Sequence, residues 1–394
     1  MLKNKTIVLG VTGSIAAYKI ANLARMLKKL GANVHVLMTK NAENFINPFT
    51  FETLTQNKCL IDTFDRSFEY SVEHVSIAKQ ADVVMIAPAS ADVIGKIASG
   101  IADDMLTTTV MACPCKKIIA PAMNHNMYHN PIVQDNIDKL RRFDYEIVTP
   151  AHGMLANGDT GDGRMPDEEL LLEYILREVY HEKDLDGKRV LVTAGATREP
   201  IDPVRYISNY STGKMGIAIA RAAMYRGADV TLVKAHTEVA PPPFVRVIDA
   251  VTADEMYEVV TERGADIIVK AAAVADYTPA ETAAEKIKKT DGDSTIGLCR
   301  TKDILKTLGE NKKAFLCGFS METENILENS RKKLVKKNLD MICANSLRQD
   351  GAGFGTDTNI ITIITSDTVT ELPKMSKFDA ANAILDKIIG ELNK

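Results

Sequence analysis

The sequence predicts an α/β protein built from two doubly wound domains with mainly parallel sheets. Three observations carry that reading. Apolar runs of strand length alternate with amphipathic stretches, the pattern in which helices cover both faces of a parallel sheet. The same order of strand, glycine turn, helix and strand opens each half of the chain. A charged segment, residues 177–188, separates the halves and marks a boundary.

Residues 6–11 (TIVLGV) read as a buried strand, 13–15 as a turn, 16–30 as a helix and 34–38 as the next strand. In the second half, 189–193 is a strand, Gly195 begins a turn, 214–226 is a helix and 230–233 a strand. Each half also holds a later strand introduced by Ala-Asp, at 81–86 and at 265–269. The expected domains are 1–182 and 183–394.

Composition narrows the class. Among 394 residues, 48 Lys and Arg stand against 52 Asp and Glu, a net charge of −4. That balance does not suit a nucleic-acid binder, which needs a basic excess to neutralise phosphates. The first apolar run breaks at glycine after a few residues, too short for a membrane span and without a small-residue cleavage site. Six cysteines form neither a disulfide framework nor a paired CxxC zinc spacing. A cytoplasmic protein with no membrane partner is expected.

The glycine turns point to phosphates, because a turn into a helix presents backbone N–H groups and the positive end of a dipole. Gly10 to Ala16 (GVTGSIA) is not GxGxxG, and the second strand ends in Thr39-Lys40, where a dinucleotide fold places an acid. A hydroxyl and an ammonium suit a phosphate monoester, so the first domain favours a mononucleotide. In the second domain, Ser211-Thr212-Gly213-Lys214 is not a P-loop, since Ser208 stands where glycine is required and Met215 where Ser or Thr is required. Two lysine clusters, Lys286-Ile287-Lys288-Lys289 and the helical Arg331-Lys332-Lys333 with Lys336-Lys337, still suggest a polyphosphate such as a nucleoside triphosphate.

These residues carry a family resemblance. GSIAAYK at 13–19, Glu73-His74-Val75, APASAD at 87–92 and PAMNHNM at 121–127 resemble the flavin-dependent cysteine decarboxylases. AGATREPIDPVR at 194–205, Ile207-Ser208-Asn209, AAAVADY at 271–277, the lysine loop and Lys337-Asn338-Leu339-Asp340 resemble phosphopantothenate–cysteine ligase. In this order they are similar to the bifunctional decarboxylase/ligase family of coenzyme A synthesis. The implied fold is Rossmann-like/flavodoxin-like in both domains.

The resemblance implies two reactions. The ligase joins 4′-phosphopantothenate to cysteine through an acyl-cytidylate made from CTP, with Mg²⁺ or another divalent cation aiding charge neutralisation. It implies that Asp276 and the backbone of Lys270, Ala271 and Ala272 contact the nucleotide. Lys302, Asp303, Ile304, Leu305 and Phe319 line its site, and Lys333 and Lys337 hold the triphosphate. Lys286 neutralises phosphates during activation, and Asn209 positions the acyl intermediate. The decarboxylase acts on 4′-phosphopantothenoylcysteine, whose cysteine moiety is oxidised toward a thioaldehyde at FMN and, after losing carbon dioxide, becomes 4′-phosphopantetheine. His74 is then the active-site base or carboxylate organiser, while Asn124 and Met127 clasp the substrate. Gly13, Ser14, Thr39 and Ser90 contact FMN. The family assembly is a homo-oligomer, decarboxylase trimers joined by ligase dimers into a dodecamer.

One departure stands out. Residues 150–166 carry Gly153, Gly158, Gly161 and Gly163 and read as an irregular lid. The family places a proton-donating cysteine there, but this chain has Asn157. An amide is no acid at neutral pH. Oxidation and carbon dioxide loss are therefore expected to survive while the last reductive protonation is impaired.

Three weaker signals remain. His125 and His129 are spaced i, i+4, but no third ligand lies at diagnostic spacing and Pro131 ends the helix, so no zinc site is expected. Cys113 and Cys115 flank Pro114 on the approach to a strand. The glycine-rich run 351–355 is either a tight connection or part of the ligase site, with the second reading preferred.

Overall fold

A computed structural model of the chain describes residues 1–64, 73–154, 158–289, 293–322, 325–346, 353 and 355–394. Asn157 and most of the 351–355 run lie outside the described residues. Two compact units are present, Met1–His181 and Glu182–Lys394. The charged segment contains the division, although its first residues still belong to a helix.

The first unit runs β1 (Thr6–Val11), α1 (Ala17–Lys29), β2 (Asn33–Met38), α2 (Pro48–Thr55), α3 (Glu73–Gln80), β3 (Val83–Ala89), α4 (Ala91–Ala98), α5 (Met105–Ala112) and β4 (Lys116–Pro121). There follow α6 (His125–Tyr128), α7 (Pro131–Arg142), β5 (Glu146–Ile147), β6 (Ala151–Met154), β7 (Thr160–Arg164) and α8 (Glu168–Val179). The five-stranded sheet has order β2-β1-β3-β4-β5, all parallel. Every residue of β1 and β3 is buried, as expected where helices cover both faces. Val8, Val84, Ile86 and Ile119 pack with apolar side chains of α3, α4, α5 and α7. Helices α1 and α8 pack together and against the sheet.

The expectation that residues 150–166 hold no regular structure is corrected. Strands β6 and β7 pair antiparallel, Gly153 opposite Gly161 and Met154 opposite Thr160. Glycine permits this hairpin: Gly163 has φ of +117°, and a Cβ there would fall 2.3 Å from the Met123 carbonyl oxygen.

The second unit opens with β8 (Arg189–Ala194), the short pair β9 (Glu199–Pro200) and β10 (Tyr206–Ile207), α9 (Lys214–Tyr225), β11 (Asp229–Lys234), β12 (Arg246–Asp249), α10 (Ala253–Glu262) and β13 (Ile267–Lys270). It continues with β14 (Tyr277–Pro279), β15 (Leu298–Arg300), α11 (Ile304–Glu310), β16 (Phe315–Glu322), α12 (Ile326–Lys336) and β17 (Met341–Ser346). The last elements are β18 (Thr358–Asn359), β19 (Ile361–Thr365), β20 (Val369–Glu371), β21 (Met375–Ser376) and α13 (Lys377–Leu392). The main sheet has order β12-β11-β8-β13-β16-β17-β19-β20, parallel through β17 and antiparallel thereafter. Leu191, Ile268, Leu316 and Ile342 form a core with residues of α10, α11 and α12. Helix α9 lies close on β8 because Gly216 has no side chain; a Cβ would sit 2.7 Å from Thr193 O. No helix among the described residues is long and apolar enough to cross a membrane.

Candidate functional sites

In the first unit the strand order reverses between β1 and β3, and ligands of open α/β sheets bind beyond the carboxyl ends at such a point. Thr12 ties those two ends together. Its Oγ1 donates to Pro88 O at 2.6 Å and accepts from Ser90 N at 2.9 Å. Ser90 then caps α4, its Oγ accepting from Val93 N at 3.4 Å. Helix α1 has no side-chain cap and no acid in its first turn, although Ala17 N and Lys19 N donate to Ser14 O and Ala16 O; the positive end of its dipole faces the turn at Gly13 and Ser14.

Thr39 directly follows β2. It is buried, and its Oγ1 has no hydrogen-bond partner among the described residues. A buried hydroxyl left unpaired costs about 1–3 kcal/mol, so this one suits a polar ligand. Gly13 has a packing reason to be glycine, since a Cβ would lie 2.8 Å from Asn41 Cβ.

A cavity of about 510 Å³ is lined by Ser14, Tyr18, Lys19, Asn124, Met154 and Arg164, among others. Asn124 caps α6 by accepting from Asn126 N at 2.9 Å, which leaves its Nδ2 available to donate. Lys19 and Arg164 both approach Asp167, at 3.1 and 3.7 Å. The fold thus brings Ser14 and Asn124 to one cavity, with Thr39 and Ser90 at neighbouring strand ends. Met127, on α6, is exposed, and His74, in α3, is half-buried; neither is among the residues lining this cavity.

In the second unit two cavities open around the carboxyl end of β13. The larger, about 410 Å³, gathers Lys270, Asp276, Lys302, Asp303, Ile304, Leu305 and Lys337, all expected from the sequence. Arg300 joins them. Sequence reasoning missed it; its only signal was a second basic residue two positions before Lys302. Burial, then the neighbouring Lys337 ammonium, push the Lys270 pKa down to about 8. Burial acts to raise the Asp303 carboxyl, but hydrogen bonds from Lys337 and the Lys306 amide, with the charges of Lys337 and Lys270, hold it below the usual range. Lys337 therefore already has an anionic partner, at 2.9 Å, and Lys302 pairs with Asp254 at 2.7 Å.

The smaller cavity, about 140 Å³, places Ala271, Ala272 and Phe319 against the start of α9. Among the polar side chains that line it are Asn345 and Lys377. Asn345 Oδ1 is buried without a partner among the described residues. Lys377 Nζ donates to the carbonyls of Gly353 and Thr358, each at 3.2 Å, and to that of Thr356. Asn209 lies close by with both ends engaged: Nδ2 donates to Ala273 O at 2.9 Å and Oδ1 accepts from Ser211 N at 3.0 Å. Lys214 pairs with Asp357 at 2.7 Å.

Lys286 and Lys333 are exposed and are not among the residues lining either cavity. The lysine loop is nonetheless anchored. Asp202, buried, accepts from the amides of Val204 and Arg205 at 2.8 Å each, from the Arg205 guanidinium, and from Ile287 N at 3.2 Å. The Arg205 hydrogen bond is the main cause holding its carboxyl far below the usual range, with the three amides adding to it. Arg205 also donates to Ile287 O at 2.9 Å. The motif containing Asp202 was visible in the sequence; its grip on the lysine loop was not.

The fold and these sites define a two-domain α/β protein with ligand cavities in each domain. The Flavoprotein family model matches residues 1–180, and that of the DNA/pantothenate metabolism flavoprotein C-terminal domain matches residues 185–392. The chain is 45% identical over 395 residues to the coenzyme A biosynthesis bifunctional protein CoaBC of Bacillus subtilis, covering 98% of this chain and 97% of that one. It is 43% identical to the CoaBC protein of Vibrio vulnificus strain CMCP6, covering 98% of each. A crystal structure of the C-terminal domain of a CoaBC protein shares 43% identity, covers 54% of this chain and 99% of that one, and superposes with a TM-score of 0.46. The chain belongs to the family of coenzyme A biosynthesis bifunctional proteins, which join a decarboxylase and a ligase.

Proposed function

We propose that the second domain joins cysteine to 4′-phosphopantothenate with CTP, and that the first decarboxylates the product to 4′-phosphopantetheine with FMN. The observation that carries the ligase half is the 410 Å³ cavity, where Lys270, Arg300, Lys302 and Lys337 surround Asp276 and Asp303. Four cations around two acids suit a triphosphate. A carboxylate is a poor acylating agent, so activation as an acyl-cytidylate with loss of diphosphate precedes attack by the cysteine amine. Lys337 and Lys302 exchange their carboxylate partners for phosphate oxygens, and the freed Asp303 with Asp276 offers oxygen ligands to a Mg²⁺ ion entering with the nucleotide. Lys286, carried on the loop that Asp202 fastens, and Lys333 approach the phosphates from outside. Ala271, Ala272 and Phe319 border the acyl-nucleotide, and Asn209 holds the 209–211 turn beside it.

For the first domain, the unpaired Thr39 Oγ1, the uncapped start of α1 behind Gly13 and Ser14, and the Ser90 turn at the β1–β3 reversal fit FMN. When bound, FMN supplies the electron sink without which loss of carbon dioxide would leave an unstabilised carbanion. Asn124 donates to the substrate carboxylate, Met127 shields the pantothenoyl arm, and His74 manages the proton of the cysteinyl thiol. The family assembly into trimers and dimers is proposed for this chain too; a solution mass equal to one chain would overturn that part.

The alternative reading is an active ligase with a decarboxylase stalled at the enethiol, because Asn157 cannot donate the final proton. The purified protein, incubated anaerobically with 4′-phosphopantothenoylcysteine, separates the readings. Repeated turnover to 4′-phosphopantetheine supports the full reaction, and carbon dioxide limited to one equivalent per chain supports the stalled one. No carbon dioxide at all would overturn both.

A further inference from the structure

The hairpin β6–β7 presents side chains to α6 that neither proposed reaction employs. His125 begins α6 and His129 follows its last residue. His129 Nε2 lies 2.9 Å from Asp162 Oδ2, and His152 Nδ1 lies 3.0 Å from Asp162 Oδ1. The Asp162 amide donates to His125 Nδ1 at 3.1 Å. Ligand atoms of His125, His129 and Asp162 all fall within 4.8 Å of one another. The sequence offered no third ligand at short spacing; the fold supplies one from the hairpin.

The cluster is set on backbone that is itself fixed. A Cβ at Gly161 would sit 2.7 Å from His125 Nδ1, so the hairpin can approach this imidazole only with glycine there. Met123 N donates to Gly163 O at 3.0 Å, which fastens the strand to the residues just before α6. A chance meeting of long surface side chains would show neither feature.

We propose that His125, His129 and Asp162 form a site for a borderline divalent transition ion such as Zn²⁺, with His152 orienting Asp162 through its second oxygen. Two imidazoles and one carboxylate select such ions over Mg²⁺ or Ca²⁺, which prefer all-oxygen shells. Bonds of about 2.0–2.2 Å in tetrahedral geometry set ligand atoms about 3.4 Å apart, so separations of up to 4.8 Å close by at most about 1.4 Å on binding. His129 carries its proton on Nδ1 when Nε2 coordinates, and the ion replaces the His129–Asp162 hydrogen bond. At His125 the ion takes the place of the Asp162 amide if Nδ1 is the ligand. The histidine that holds the far oxygen of Asp162 keeps the ligand in place, as outer partners of metal ligands commonly do. Bound in this way, the ion staples the hairpin to α6, the helix that Asn124 caps.

The test uses the full chain without a histidine tag, stripped with a chelator and titrated with Co²⁺ alone. One equivalent per chain is expected, with visible d–d absorption and no sulfur-to-cobalt charge transfer. Zn²⁺ should displace it. His129→Gln and Asp162→Asn should each weaken binding by at least about tenfold, while Cys115→Ser leaves it unchanged. CTP-dependent diphosphate release by the same samples, a property of the other domain, together with their circular dichroism, reports that the variants are folded. Absence of binding, thiolate charge-transfer bands, or equal affinity in folded His129→Gln and Asp162→Asn proteins would overturn the proposal.

Discussion

The carboxylate of Asp202 accepts the Ile287 amide at 3.2 Å, and so the loop beginning at Lys286 is fastened to the 201–205 turn. Arg205 makes the link two-sided by donating to Ile287 O. The lysine loop thus has a fixed root beside Lys286.

Asp202→Asn should therefore slow ligation more than it weakens substrate binding. Misplacing a charge-neutralising group is expected to cost at least about tenfold in kcat. Steady-state diphosphate release against CTP and cysteine concentrations checks this. A kcat equal to that of the parent protein would show that Asp202 has no part in placing Lys286.

Lys270 gives a pH signature. With its pKa down at about 8, the folded free protein holds this amine partly neutral near that pH, whereas the unfolded chain keeps it protonated until about 10.5. The unfolded state thus binds more protons between those values, so this group makes stability rise with pH across that window. Its unfavourable contribution is full below pH 8. Polyphosphate binding reverses the preference, so CTP should take up a fraction of a proton at pH 8. Calorimetry in buffers of differing ionisation enthalpy measures the uptake, and Lys270→Met should abolish it.

Thr39 provides a test of the cofactor assignment. Thr39→Val deletes the unpaired hydroxyl at nearly constant shape, and FMN retention should fall about tenfold if one hydrogen bond to a charged group is lost. Thr39→Ser should retain it. Flavin fluorescence released during dialysis measures both. Equal retention in all three proteins would place FMN away from Thr39.

Asn157 separates the two decarboxylase readings. If its amide stalls the last protonation, Asn157→Cys should raise formation of 4′-phosphopantetheine by about a hundredfold or more, the scale of general acid catalysis. Product formation by rapid quench checks this, and an unchanged rate would dismiss the stalled reading.

Much of this architecture was legible in the sequence for a simple reason. Parallel strands buried on both faces, such as β1 and β3, read as continuous apolar runs, and the glycine turns after β1 and β8 mark carboxyl ends of the sheets. The hairpin at 151–164 was not legible, because its glycines signal freedom of the backbone and only Met123 and His125 decide how that freedom is used. The same limit hid Asp162 as the neighbour of His129, and Asp202 as the anchor of Ile287. Each partnership joins residues far apart in the chain, and local spacing carries no trace of it.

The most direct test of the whole account follows the fate of carboxyl-labelled cysteine in one anaerobic mixture with the pure protein. The label should leave as carbon dioxide only when both CTP and 4′-phosphopantothenate are present, with one diphosphate released for each cysteine consumed. Labelled carbon dioxide without CTP, or cysteine consumed with no diphosphate released, would contradict it.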